Sequence, residues 1–143
     1  MSKSSLKRLV VAAIAFAVLA PSMAPAQAAG EIKIGVITST SGPLASYGTA
    51  YNEGLAWGLK YYTGGKMAIN GQKLVVTSKD DGADPASATA TFKEMVGNGT
   101  KIITGTASSG VALTLAPLAQ QNKVLYISGP AKNDLVTSAA NKY

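Results

Sequence analysis

The sequence contains no cysteine and no histidine, and its single arginine, Arg8, lies within the first ten residues. Without cysteine the chain has no disulfide and no N-terminal thiol for a lipid anchor. Without histidine it lacks the commonest general base and the commonest metal ligand. A serine–histidine–carboxylate triad is excluded outright. The N-terminal apolar run, Leu9–Ala20, covers about a dozen residues, short of the roughly 20 that a membrane-spanning helix needs. The lysines are scattered singly, so the clustered basic stripe of a nucleic-acid binder is missing, and no nucleic-acid partner is expected.

What is present begins with a leader. Lys3, Lys7 and Arg8 precede the apolar run, and the small-residue stretch PSMAPAQAA follows it. That order is the pattern of a secretory signal peptide, with cleavage expected after Ala28. Residues 1–28 are read as the leader and 29–143 as the mature part, with no stable membrane anchor. All seven acids fall in the mature part beside ten lysines, a net charge of +3 rather than +6. A soluble protein released into a bacterial periplasm is the expectation.

The mature chain alternates short β-branched runs with longer helical ones. EIKIGVIT (31–38), KLVVTSK (73–79), KIITG (101–105) and VLYIS (124–128) read as strands. TAYNEGLAWGLKYYT (49–63) places Tyr51, Leu55, Leu59 and Tyr62 on one helical face. Gly54 and Gly58 would weaken an isolated helix by about 1 kcal/mol each, and close packing on a sheet is the expected reason for them. GGKMAINGQ (64–72) reads as a connection turning at Asn70-Gly71. Asp84 and Pro85 open a helix over 85–98 as N-cap and first residue, burying Ala88, Phe92, Met95 and Val96. A third helix, 111–123, carries Val111, Leu115 and Leu118 on one face. The order β-α-β-α-β-α-β, with continuously apolar strands, predicts an α/β fold: a parallel sheet with helices on both faces.

Ligands of such sheets bind beyond the carboxyl ends of the strands. Those ends lead into STSGPLASYG, DDGADP, TASSG and GPAKND, rich in Gly, Ser, Ala or Asp. Ser108 and Ser109 stand before the third helix, where unsatisfied amides and the helix dipole favour an anion. Two readings stand for this pair: anion contact, or capping of that helix alone. Asp80 and Asp81 are read as turn and cap residues, because the glycine-rich fingerprint of a dinucleotide fold does not follow the first strand. Lys132 reads either as a carboxylate partner or as a solvated loop lysine. Tyr47 sits where its ring could cover the apolar part of a guest.

IKIGVITSTSGPLASYG, then a strand ending in DDGADP, then one ending in GTASSG, resembles the type I periplasmic solute-binding proteins of ABC transporters. The leucine/isoleucine/valine-binding proteins form the nearest subgroup, and the resemblance spans about residues 31–143. It implies a Venus-flytrap fold of two α/β lobes closing on a ligand, with no bond made or broken and no cofactor. It implies that Ser108 and Ser109 contact the ligand's carboxylate, that Pro130, Ala131 and Lys132 hold the same head group, and that Tyr47 lines the side-chain pocket. The implied ligand is a branched-chain amino acid or related small carboxylate. The implied partner is an ABC permease in the inner membrane, served by a protein that is monomeric at full length.

This sequence departs from the family's pattern in three ways. Lys132 stands where the amino-acid binders commonly have a threonine, and a lysine repels an ammonium and attracts an anion. Ala83 and Ser108 stand where some relatives form a disulfide. Members of the family are also much longer, so this chain reads as the first part of lobe one, a wall expected to bind very weakly or not at all by itself. Two rival functions remain at this level: a ligand-sensing domain of the same fold, and a secreted hydrolase using Asp80 or Asp81 with a metal.

Overall fold

The structure, a computed structural model, describes residues 30–137. The expected leader therefore lies outside the described residues, as do the last six. Among the described residues five strands form one sheet: β1 (Glu31–Thr38), β2 (Ala68–Ile69), β3 (Gln72–Asp80), β4 (Ile102–Gly105) and β5 (Leu125–Ser128). Three helices alternate with them: α1 (Ala45–Tyr62), α2 (Pro85–Gly97) and α3 (Ser109–Asn122). Single 3-10 turns occupy Gly42–Leu44 and Asp134–Val136. Among the described residues no helix is long and apolar enough to cross a membrane.

The strand order is β2-β3-β1-β4-β5. β1 pairs in parallel with both β3 and β4, and β4 pairs in parallel with β5. The chain steps from β1 outward to β3, then crosses back past β1 to β4. Because such crossovers are right-handed, the reversal sends α1 to one face and α2 and α3 to the other. It also creates a switch point between β1 and β4, where the loops above them diverge and leave a crevice.

The connection over 64–72 is more than a turn. Ala68–Ile69 forms the edge strand β2, antiparallel to β3. Asn70 and Gly71 join the two with φ of 51° and 79°, the left-handed pair that suits a two-residue hairpin. The α/β architecture of parallel strands with helices on both faces is therefore present, with this one antiparallel strand added.

The core lies on the α2/α3 side. Ile37 and Ile103 point into a cluster with Phe92, Met95, Val111, Leu115 and Tyr126, all buried. Gly35 leaves room there for the Met95 sulfur, which a Cβ at that position would displace. Asp84 caps α2 by accepting from the Ser87 N–H at 2.7 Å, with Pro85 in the first turn.

The opposite face is thinly covered, which corrects the expectation of strands buried on both faces. Val76, Leu125 and Ile127 remain 38%, 47% and 49% exposed. A cavity of about 600 Å³ lies between α1 and the sheet, lined by Val36, Leu55, Leu59, Met67 and Val76 among others. Tyr62 is not on the buried face: Thr63 takes the inward place, donating to the Leu59 carbonyl at 2.7 Å. Nor does close packing explain Gly54 and Gly58, since nothing lies within 4 Å of a Cβ built at either. The glycine of α1 that does pack is Gly48, where a Cβ would overlap the Ser39 carbonyl oxygen.

Candidate functional site

The strand ends Thr38, Asp80, Gly105 and Ser128 open onto one edge of the sheet. The loop after β1 is held by its neighbour after β3. Asp80 Oδ1 accepts from the main-chain N–H groups of Thr40 (2.7 Å), Ser41 (3.2 Å) and Gly82 (3.0 Å). The Ser41 hydroxyl and then the Gly82 amide, with the Thr40 and Ser41 amides, draw this exposed carboxyl down from its usual 3.8 to about 2. Asp81 is buried. Its Oδ1 accepts from the Ser39 hydroxyl at 2.6 Å and the Ala83 N–H at 2.8 Å, and its Oδ2 accepts from the Thr106 hydroxyl. The two adjacent carboxylates thus both bind donors of the loops after β1 and β3, and Asp81 alone also reaches the segment after β4. Among the described residues no group of three or more carboxylate, imidazole or thiol side chains could hold a metal ion.

Held this way, the loop after β1 enters the 3-10 turn Gly42–Leu44 and passes straight into α1. This helix begins at Ala45 rather than Thr49, and no side chain caps its start. Tyr47 consequently stands on the first turn of α1, with its ring more than half exposed.

The two serines after β4 divide their roles. Ser108 is the N-cap of α3, its Oγ accepting from the Val111 N–H at 3.4 Å. Ser109 is the first helical residue, and its hydroxyl accepts from the main-chain N–H of Lys132 at 3.2 Å. That contact ties the loop after β5 to the start of α3. The amides of Ser109 and Gly110, in the first turn, have no partner within the helix. Ala131 is committed behind the surface: its N–H donates to the Thr106 carbonyl at 3.1 Å, and its methyl packs against the core.

Leu44, Tyr47, Ala107, Ser109, Pro130 and Lys132 line an open cleft of about 190 Å³ at the switch point. Four of the six residues expected from the sequence line this space. Ser108 and Ala131 stand behind it as the helix cap and the loop brace. Leu44 and Ala107 were not expected, and neither carries a sequence signal beyond being small or apolar in a loop. Among the described residues that line the cleft, Lys132 is the only charged one. A helix start and a lysine on one wall favour a negatively charged guest. The cavity beneath α1 is larger, but its lining offers mostly hydrocarbon and lies away from the strand ends.

Tyr126, a core residue of β5, donates to the Gly105 carbonyl at the end of β4 at 2.9 Å. Burial, reinforced by Tyr51 and the Asp81 charge, pushes its phenol above the usual tyrosine range. It therefore serves as a fixed donor at neutral pH.

Comparison with known proteins gives a consistent picture. The profile of the periplasmic binding protein family matches residues 31–143. A Leu/Ile/Val-binding protein of Rhizobium johnstonii is 30% identical over 131 residues, covering 92% of this chain and 33% of that protein. Among solved structures, an ABC-type branched-chain amino acid transporter protein from Rhodopseudomonas palustris is 37% identical with a TM-score of 0.75, covering 78% of this chain and 30% of that one. A solute-binding protein from another Rhodopseudomonas palustris strain, solved with 3,4-dihydroxy benzoic acid, is 29% identical with a TM-score of 0.71, covering 78% and 30%. The chain spans about a third of the length of the curated relatives it matches.

Proposed function

The chain belongs to the periplasmic binding protein family, and on that premise we propose that it forms one ligand-holding wall of a substrate-binding protein for an ABC transporter. The ligand is a small carboxylate-bearing molecule, an amino acid or an organic acid. The observation that carries this reading is the Ser109 hydroxyl at the start of α3, set beside Lys132 in a cleft whose described lining residues include no acid. A carboxylate there meets a hydroxyl, unsatisfied first-turn amides and a cation together. The ring of Tyr47 offers an apolar cover for the rest of the guest.

One relative is named for leucine, isoleucine and valine, and another was solved with a dihydroxybenzoate. Their shared group is the carboxylate, which is the part this wall is built to meet. The same site would serve a sensing protein, and only the downstream partner, permease or signalling component, separates the two. The proposal includes export: residues 1–28 act as a cleaved leader, 29–143 belong to lobe one, and the full-length protein works as a periplasmic monomer. N-terminal sequencing of the secreted product tests the cleavage.

The binding test is a nuclear magnetic resonance titration of the chain with leucine and, separately, with 3,4-dihydroxybenzoate. A wall that contacts one side of a ligand leaves much of it in water, so a dissociation constant on the order of 1 mM is expected. Shifts should concentrate at Ser109, Gly110 and Lys132. Saturating additions of both ligands that move none of these amides would overturn the reading.

A further inference from the structure

Beyond the residues that line the cleft, we infer that Asp81 is a positioning residue: it sets the proton direction of the Thr106 hydroxyl and thereby holds the two loops that carry Ser109 and Lys132. This rests on the cleft being the ligand site, although the geometry of the linkage stands apart from it.

Asp81 is 1% exposed and lies at the end of β3. Its three donors come from the segments after three different strands: Ser39 after β1, Ala83 after β3 and Thr106 after β4. An ionised carboxylate only accepts. The Thr106 hydroxyl must therefore give its proton to Asp81, which leaves its lone pairs facing outward. One of them accepts from the Ser108 N–H, at a long 3.4 Å. The carbonyl of the same Thr106 accepts from the Ala131 N–H at 3.1 Å. Thr106 thus braces the α3 start through its side chain and the loop after β5 through its main chain. The Lys132 N–H to Ser109 Oγ bond closes the circuit between these two loops. Thr106 is itself fully buried, so water does not offer its hydroxyl an alternative partner.

An amide in place of the carboxylate breaks this logic without changing shape. The Ala83 N–H can only donate, so an asparagine keeps its oxygen toward Ala83 and turns its NH₂ toward Thr106. The Thr106 hydroxyl then accepts from that NH₂ and from the Ser108 N–H with its two lone pairs, and its own proton loses the Asp81 acceptor. A buried donor without its acceptor is costly, so the segment around Thr106 must shift to satisfy it.

The experiment is residue-resolved amide hydrogen exchange on the chain, as wild type and as Asp81→Asn, Thr106→Val and Thr106→Ser. For Asp81→Asn and Thr106→Val, protection at Ser108, Ala131 and Lys132 should fall about tenfold, with β1 and β4 amides such as Ile37 and Ile103 unchanged. Thr106→Ser keeps the hydroxyl and should retain wild-type protection. Were Asp81 merely a stability element, all these amides would lose protection in step with the global unfolding free energy, which overturns the inference. Unchanged protection at all three loop amides in Asp81→Asn would overturn it as well. The ligand titration of the wild type is a separate arm. A loop response without any ligand shift supports the positioning role and removes only the ligand reading.

Discussion

The main-chain N–H of Lys132 donates to the hydroxyl of Ser109, 3.2 Å away and 23 residues earlier in the chain. This bond joins the loop after β5 to the first residue of α3, and it places the lysine side chain and the helix start on the same wall. Removing the hydroxyl by Ser109→Ala should weaken carboxylate binding about tenfold, the worth of one charge-assisted hydrogen bond at a partly open site. Lys132→Thr should favour leucine over 3,4-dihydroxybenzoate by up to about fivefold, since a cation at the rim no longer repels the ammonium. Both are read by titration, and an unchanged ratio for Lys132→Thr would count against the lysine as a selector.

Ser108 differs from its neighbour because it caps α3 rather than facing the cleft. Ser108→Ala should lower unfolding stability by about 0.5–1 kcal/mol, and Ser108→Gly by only a few tenths. Ligand-induced shifts at Ser109 should survive either change, which a combined denaturation and titration series would show.

The glycines of α1 should respond in opposite directions. Gly54→Ala and Gly58→Ala meet open space, so each should stabilise the chain by about 0.5–1 kcal/mol through helix propensity. Gly48→Ala drives a methyl into the Ser39 carbonyl and should destabilise it by about 1–3 kcal/mol. Thermal melts followed by circular dichroism separate the two signs. A stabilised Gly48→Ala would contradict the packing of α1 on the first loop.

Asp80 makes the first loop sensitive to acid. Its folded-state carboxyl titrates near 2 rather than 3.8, so the ionised form favours the anchored loop. That contribution is complete above about pH 4 and is lost as the pH falls through the interval down to about 2. The Thr40, Ser41 and Gly82 amide resonances should move together over that range, and in Asp80→Asn the step should vanish. A midpoint near 4 in the wild type would show that these hydrogen bonds do not favour the charged form.

Much of the fold was legible because short β-branched runs and longer periodic ones alternate cleanly. Strands expected at 73–79 and 101–105 lie within a residue of β3 and β4, and Asp84 caps α2 as its spacing predicts. Two residues of local conformation were enough to turn Asn70-Gly71, but the edge strand beside it needed β3 to pair with. The period of α1 was visible, while its start was not, because no capping residue marks it. Gly48 and Gly54 look alike in sequence, and only the position of the Ser39 carbonyl distinguishes them. Asp81 and Thr106 are 25 residues apart, with no local pattern linking them.

The sequence by itself determined the order of the helices and the four parallel strands and the set of loops that gather at the strand ends, since these follow from periodicity and connection length. Only the tertiary structure decided which loop residues face the cleft. Ser108 keeps an extended backbone (φ -84°, ψ 120°) and turns its side chain into the cap, while Ser109 is already helical and meets the Lys132 amide. The strand order then decides which loops meet, and that order depends on packing between segments far apart in the chain.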